Sequence, residues 1–311
     1  MRVVLLGDIT DRKDNHSARL VHRVLDGIAS VADVAPVDIL LGNHDYADVG
    51  HPFFAFTQNY HDRVRFITQP VLLPITWKHE PQGLYIPFQR ETRDFAAAIA
   101  HKDRARASVV FMHQTVHGAV TANGSKMEGP PAEFDFEPLR VFSGDIHVPQ
   151  VVGQVQYCGS PYHIRFGDAF DPSIILYSPE NDEVGYLEYP CLRKHVLTVA
   201  GNAGDLLDAV THANKKGAQH GKHDQYKIKV LLDRSEFHDW RRIKSEILRE
   251  CEILKMDVYG IQMKEWKMPQ PRVRIARKHK YGFMPARLFD EFCEKEQIDD
   301  ELKAVGSKMM A

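Results

Sequence analysis

Short apolar runs alternate with amphipathic stretches through the first 190 residues of this 311-residue chain. The runs "RVVLL", "VDILLG", "SVVFMH" and "LRVFSG" have the length and composition of buried strands, and each ends at a polar cluster. Between the first two, "HSARLVHRVLDGIASV" has helical spacing at Leu20, Val24, Leu25 and Ile28 and predicts an α-helix. Strands that alternate with helices in this way favour an α/β fold.

A second unit begins near Cys191. Strand, helix, strand, helix and strand are predicted in "HVLTVAG", "NAGDLLDAVTHAN", "YKIKVLLD", "SEFHDWRRIKSEILREC" and "MDVYGIQMKEW". Ser235 is the predicted N-cap of the second helix. We therefore divide the chain into a domain at 1–190, a small α+β domain at 191–268 and a tail at 269–311.

The tail combines a basic run with two helical segments. The basic run at 272–280 is interpreted as a solvated linker or as a contact for phosphates or a partner. The helical segments place one apolar stripe at Leu288, Phe289, Phe292, Ile298, Leu302, Val305 and Met309. The stripe either packs on the protein's own surface or binds a partner.

Composition narrows the class of protein. Hydrophobic residues make up 43% and charged residues 26%, which is typical of a soluble globular chain, and no apolar run has the ~20 residues of a membrane span. Four widely spaced cysteines without a C-x-x-C motif indicate reduced thiols and a cytoplasmic location. The net charge of −2 does not by itself indicate a nucleic-acid-binding protein.

The polar clusters at the strand ends carry the candidate chemistry. Their residues are Asp8 and Asp11 in "GDITD", Asn43, His44 and Asp45 in "GNHD", His113 and His117 in "MHQTVHG", and Asp145 and His147 in "SGDIH". Carboxylates, an amide and imidazoles without a thiolate suit Mn²⁺, Fe²⁺ or Zn²⁺ in a reactive site more than a structural zinc site. Two such ions are a common device for displacement at phosphorus.

In this order, "GDITD", "GNHD", a strand-end "HQ" and "GDIH" resemble the calcineurin-like metallophosphoesterase superfamily. "YCGSPYHIRFGD", directly after the last motif, is similar to the nuclease subunit of the SbcCD complex that repairs double-strand breaks. The resemblance implies a two-sheet sandwich flanked by helices at 1–190, a capping domain at 191–268 and a helical partner-binding tail. The implied activity is that of a DNA exonuclease or endonuclease subunit, and the "GDIH" variant favours a phage-encoded version.

The resemblance also implies a role for each motif residue. Asp8 bridges two metal ions, Asn43 and His113 bind the second ion, and His147 binds the first. Asp145 takes the place of a second-metal histidine, which favours harder ions such as Mn²⁺.

His44 would stabilise the transition state or protonate the leaving oxygen, and Asp45 would orient it. Outside the motifs, Arg165 either meets a substrate phosphate or lies in a packing or surface ion-pair position.

The family's first motif, D-x-H on the first strand, does not occur before Asp8. We expect that the chain begins at the family's second motif, through a start codon placed too late or as a fragment. The alternative is a degenerate enzyme. Asp14-Asn15-His16 also reads D-x-H, but it follows Asp8 at the start of a helix and is a poor substitute.

Three functions therefore stay open at this point. The first is a Mn²⁺-dependent DNA nuclease that works with an SbcC-like ATPase bound at the tail, and that also forms a homodimer. The second is a phosphodiesterase or phosphatase with a different substrate, since the fold does not fix the substrate. The third is a catalytically impaired scaffold, because two ligands of the first metal are missing.

Overall fold

The structure is a computed structural model that describes residues 1–13, 15–48, 51–75, 81–101, 103–131, 139–200, 206, 208–209 and 224–266. The chain divides into one compact unit at Met1–Trp266 and another at Lys267–Ala311. The predicted tail at 269–311, with its basic run and apolar stripe, lies outside the described residues, as does Asp14.

The helices and strands predicted for residues 1–190 are confirmed, and further elements follow up to Glu265. The α-helices are α1 (Ala18–Val34), α2 (Thr92–Ile99) and α3 (Trp240–Ile253), and shorter 3-10 turns cover Phe53–Asn59, Arg104–Arg106 and Arg234–Asp239. The strands are β1 (Val3–Leu5), β2 (Val37–Leu40), β3 (Tyr46–Asp48), β4 (His51–Pro52), β5 (Val64–Ile67), β6 (Val71–Pro74), β7 (Gln82–Ile86), β8 (Ala107–Met112), β9 (Arg140–Ser143), β10 (Gln150–Val152), β11 (Val155–Tyr157), β12 (Ser173–Ser178), β13 (Glu183–Glu188), β14 (Lys194–Ala200), β15 (Gln225–Leu232) and β16 (Asp257–Glu265). None of the described helices is long and apolar enough to cross a membrane.

Two sheets form the body of residues 1–190. One has the parallel order β1-β2-β5, and the other has the order β10-β11-β9-β8-β7-β6 with a parallel centre at β7, β8 and β9. The hairpin of β12 and β13 forms a separate two-stranded sheet. Because the central strands of both sheets are parallel, loops that leave their carboxyl ends collect at one edge of each sheet.

Three hydrophobic clusters define the layers. Leu40 and Ile67 of the smaller sheet share a cluster with Tyr85, Val109 and Phe111 of the larger sheet, so the two sheets pack face to face. A second cluster joins the smaller sheet to α1, and a third joins the larger sheet to α2. The predicted α/β sandwich with helices outside is thereby confirmed, with the helices covering the two outer faces.

A buried carboxylate ties the two sheets together. Asp38 on β2 is fully buried and accepts hydrogen bonds from Arg2 at 2.9 Å and from Arg65 at 2.7 and 2.8 Å. Tyr85 on the facing sheet donates its hydroxyl to Asp38 at 2.9 Å. Burial, and then the adjacent carboxylate, raise the pKa of Tyr85, so the hydroxyl stays protonated and keeps donating. A charge in this position is stable only because every lone pair finds a donor.

The unit predicted at 191–268 contains a three-stranded parallel sheet of order β14-β15-β16. Its core joins Leu197, Ile228 and Val230 of the sheet to Ile243 and Ile247 of α3. Of the helix predicted in "NAGDLLDAVTHAN", only positions 206, 208 and 209 are described, and they are helical. The boundary predicted between 190 and 191 falls in the segment between β13 and β14 and inside the first compact unit.

The predicted cap at Ser235 is wrong. Asp233 begins the helical segment, because its carboxylate accepts the Ser235 N–H at 3.0 Å while the Glu236 side chain accepts the Asp233 N–H at 2.9 Å. This reciprocal arrangement is a capping box, and it starts a 3-10 turn that leads into α3. The serine is thus the second helical residue and hydrogen-bonds to the cap.

Candidate metal centre

Four strand ends from the two sheets deliver the predicted ligands to one place. Asp8 follows β1, Asn43 follows β2, His113 follows β8 and Asp145 follows β9. One ligand atom each from Asp8, His113 and Asp145 lies within 4.8 Å of the others. The sequence therefore located these residues at strand ends, and the sandwich brings them together across the two sheets.

Tight backbone turns make this convergence possible. Asp8 and Asp145 have φ angles of 55° and 72°, in the left-handed region that non-glycine residues seldom adopt. Asp tolerates this region better than most residues, and such conformations occur often at functional sites. At Gly42, a Cβ atom would overlap Asp8 Oδ1 and lie 2.9 Å from His113 Cε1, so only glycine leaves room for the two ligands.

Asp45 fixes the two ligand-bearing loops against each other. Its buried carboxylate accepts the N–H groups of Gly42 at 2.7 Å, Asp8 at 2.8 Å and Ile9 at 2.9 Å. Burial raises the pKa of Asp45, and the three N–H donors partly offset this effect. Among the described residues no hydrogen bond joins this carboxylate to the His44 ring, so the geometry gives Asp45 a different contact from the one the resemblance implied.

The amide oxygen of Asn43 faces the carboxylate of Asp8 and Nε2 of His113, and these atoms are acceptors when the ring is neutral. Asn43 Oδ1 lies 3.0 and 3.1 Å from the two carboxylate oxygens of Asp8 and 3.1 Å from His113 Nε2. Without a cation, the amide donates to Asp8 only by turning its NH₂ group toward the carboxylate, whereas a protonated His113 Nε2 would donate to Asn43 Oδ1 in the present orientation. A divalent cation would be held by these oxygen and nitrogen atoms and would satisfy them together.

The orientation of His113 suits a metal ligand. Its ring is fully buried, and Nδ1 contacts the carbonyl oxygen of Leu6, which assigns the proton of the neutral ring to Nδ1 and leaves the Nε2 lone pair free. Nε2 lies 3.5 Å from Asp8 Oδ1 and 3.8 Å from Asp145 Oδ1.

The electrostatics of the group favour a positive charge at its centre. Burial lowers the pKa of His113, but the hydrogen bond and charge of Asp8, the charge of Asp145 and the Leu6 carbonyl together raise it to about 9. Burial also raises the pKa of Asp8, and His113 and the His44 N–H outweigh that effect and lower it below its ordinary value. A positive charge at the centre of the group is therefore favoured, and a bound cation would supply it.

His44 lies beside this group and is held at its backbone and at its ring. The backbone N–H of His44 donates to Asp8 Oδ1 at 2.8 Å, and the ring Nδ1 lies 2.7 Å from the carbonyl oxygen of Asp11. That carbonyl accepts the Nδ1 proton, so the ring is oriented by Asp11 and its Nε2 is left for other contacts. A main-chain oxygen has no signature in the sequence, so the sequence indicated only the carboxylate of Asp11 as a candidate.

Asp145 has a neighbour that the sequence did not indicate. The Thr115 hydroxyl donates to Asp145 Oδ2, which leaves Oδ1 turned toward His113. Thr115 stands two residues after His113 in "MHQTVHG", and only the assembled loops show that it holds a candidate ligand.

Other predicted residues lie outside this group. His147 follows two residues after Asp145 but is not among the described residues whose ligand atoms converge. Arg165 is exposed, in a turn where Asp168 accepts its N–H at 2.9 Å. His117 pairs with Glu128 at 3.1 Å in an exposed loop, and His16 packs against Phe53 with ring centroids 4.5 Å apart.

The chain is similar to two viral proteins whose names are both "Putative phosphoesterase". The chain is 26% identical over 206 residues to "Putative phosphoesterase 244L" of Invertebrate iridescent virus 6, and the aligned region covers 63% of this chain and 70% of the relative. It is 24% identical over 208 residues to "Putative phosphoesterase 078R" of Invertebrate iridescent virus 3, and the aligned region covers 63% of this chain and 59% of the relative. No family model matches the chain.

Proposed function

We propose that this protein is a divalent-metal-dependent phosphodiesterase of the calcineurin-like metallophosphoesterase type. The observation that carries the proposal is the convergence of four acceptor side chains, Asp8, Asn43, His113 and Asp145, from four strand ends of two sheets. The similarity to two proteins named as phosphoesterases supports the same reaction class.

When bound, a divalent ion would polarise a phosphoryl oxygen and stabilise the charge that develops during displacement at phosphorus. Asp8, Asn43, His113 and Asp145 would hold it, and Asp45 keeps the loops of Asp8 and Asn43 in register. His44 directs its Nε2 away from the Asp11 carbonyl, and in its protonated form it donates to a phosphate oxygen or to the leaving oxygen.

We further propose that the substrate is DNA and that the protein acts as a nuclease subunit. The support is the resemblance of "YCGSPYHIRFGD" to SbcD-type nucleases. On the same basis we propose Mn²⁺ as the ion, a second ion that involves His147, a homodimer, a cytoplasmic location and an SbcC-like ATPase bound at the tail.

Two measurements on the whole chain test the site and the substrate separately. Calorimetry at neutral pH gives Mn²⁺ affinity, and hydrolysis of bis(p-nitrophenyl) phosphate and of linear DNA gives activity. We expect both binding and hydrolysis in the wild type, and loss of both in Asp8→Asn. Asp62→Asn is the matched control, because it makes the same change on a side chain that is 95% exposed.

The outcomes distinguish the three functions. DNA cleavage that requires Asp8 supports the nuclease. Hydrolysis of the small diester without DNA cleavage supports a phosphoesterase with another substrate. Mn²⁺ binding without any hydrolysis supports a scaffold, and unchanged Mn²⁺ affinity in Asp8→Asn contradicts the assigned metal centre.

A further inference from the structure

The sheet of β14, β15 and β16 has one covered face and one open face. Leu197 and Val199 of β14 are buried with α3, whereas the alternate residues Thr198 and Ala200 are exposed. On β16, Gln262 and Lys264 are exposed as well. Alternate residues of a strand point to opposite faces, so these positions belong to a face that is open to solvent.

The strand register places lysines on this open face. Lys227 lies between Val196 and Gly260, and Lys229 lies between Thr198 and Gln262. Lys264 is the partner of Leu231 in the next row. Lys227 and Lys229 are two residues apart on β15, which separates their Cα atoms by about 6.6 Å on the same face.

The charge of these lysines is not neutralised by the described part of the chain. No described ion pair involves Lys227, Lys229 or Lys264. Asp257 lies at the edge of the face, in the first row beside Gln225. Glu265 is engaged elsewhere, by Arg234 at 2.7 Å. The face therefore presents a local positive charge on a chain whose net charge is −2.

An aromatic pair adjoins the lysines at one end of the sheet. Tyr259, at a bulge of β16, is 69% exposed, and its ring centroid is 4.9 Å from that of Phe166. The Lys194 ammonium lies 5.8 Å from the Phe166 centroid and donates to the Ile164 carbonyl at 2.8 Å. An exposed aromatic ring beside lysines that have no ion pair within the described residues is typical of surfaces that bind single-stranded nucleic acids.

We propose that this surface, which we call the lysine face (Lys227, Lys229, Lys264 and Tyr259), binds single-stranded nucleic acid. The three lysines contact successive phosphates, and Tyr259 stacks on an unpaired base. The inference rests on the proposed function only in taking the strand as a substrate; the binding itself needs neither metal nor catalysis.

Fluorescence anisotropy with a labelled single strand of about 16 nucleotides, in EDTA and over a range of salt, tests this surface. In Lys227→Gln/Lys229→Gln/Lys264→Gln we expect the slope of log affinity against log salt to fall by about 2, since each single-strand phosphate contact adds about 0.7. Tyr259→Ala should weaken binding about tenfold at every salt concentration, and Tyr259→Phe should restore it.

The control makes the same charge change at exposed positions on α3 and in the turn that follows it: Lys244→Gln/Arg249→Gln/Lys255→Gln. Thermal unfolding of each variant verifies its fold. Equal losses in control and test variants would overturn the proposal, as would a normal salt slope in the folded test variant. A duplex that binds as tightly as the single strand and ignores Tyr259→Ala would also overturn it.

Hydrolysis of bis(p-nitrophenyl) phosphate separates this inference from the proposed function. We expect the lysine-face variants to hydrolyse the small diester at the wild-type rate. Wild-type hydrolysis without oligonucleotide binding refutes the lysine face and leaves the phosphodiesterase standing. Oligonucleotide binding without hydrolysis of the diester refutes the phosphodiesterase and leaves the lysine face standing.

Discussion

Replacing Asp45 with asparagine tests whether this residue holds the metal centre together or serves His44. Its Oδ2 accepts the N–H groups of Gly42 and Asp8, and its Oδ1 accepts the N–H of Ile9. An asparagine that places its amide oxygen at Oδ2 keeps two of these bonds, but its NH₂ group then faces the Ile9 N–H.

The loss of stability expected for Asp45→Asn follows from these three hydrogen bonds. An orphaned, partly buried donor costs about 1–3 kcal/mol, and the two remaining bonds weaken because the acceptor is no longer charged. The raised pKa of Asp45 shows that burial already disfavours its charge, so the neutral side chain recovers part of the loss. We expect Asp45→Asn to lower the free energy of unfolding by about 2 kcal/mol. We also expect Mn²⁺ affinity to fall by about tenfold or more, because Asp8 and Gly42 lose their common anchor.

Urea unfolding and calorimetry with Mn²⁺ measure the two effects, with Asp62→Asn as the control. If Asp45 acted only by orienting His44, the variant would lose hydrolysis while stability and Mn²⁺ affinity stayed at wild-type values. An unfolding free energy within about 0.5 kcal/mol of wild type, together with unchanged affinity, would refute the anchoring role.

Three further predictions address the same framework. Mn²⁺ affinity should rise about tenfold per pH unit between pH 6 and 8, because the ion displaces the proton of His113, whose pKa is raised to about 9; calorimetry that finds the affinity independent of pH would contradict this. Gly42→Ala should lower Mn²⁺ affinity at least tenfold, because its Cβ overlaps Asp8 Oδ1, whereas Gly27→Ala on α1 meets nothing within 4 Å and should leave binding intact. Asp38→Asn should cost about 3 kcal/mol in urea unfolding, since it leaves Arg2 and Arg65 without their buried counter-charge, and a cost below about 0.5 kcal/mol would show that the network contributes little.

The order of motifs made much of the fold predictable. Each cluster follows an apolar run of strand length, and the carboxyl ends of parallel strands share an edge, so residue type and position together indicated a metal centre. The apolar run "VDILLG" predicts a buried strand, and this pattern gives no role to Asp38. The partners of this carboxylate are Arg65 on β5, Tyr85 on β7 and Arg2 directly before β1, and only the assembled sheets bring them to it.

Side-chain direction within turns was less predictable than position. His44 and Asp45 are neighbours in the sequence, which favours a direct interaction, yet the turn aims one at the Asp11 carbonyl and the other at three N–H groups. Ser235 was a reasonable cap by residue type, but Asp233 with Glu236 three residues later supplies both halves of a capping box. In both cases the backbone angles determine where the side chain points, and these angles depend on contacts between residues distant in sequence.

The candidate metal centre therefore depends on main-chain atoms as much as on its ligands. The Leu6 carbonyl, 107 residues before His113, selects the ring nitrogen that faces the ligand group, and the backbone of Asp8 is fixed by Asp45. Both contacts lie at the end of β1, at the edge of the smaller sheet. A shift of β1 relative to β8 would turn the His113 lone pair and move the Asp8 carboxylate together. For this reason, substitutions that loosen the Asp38 network on β2 are expected to weaken metal binding as well as stability.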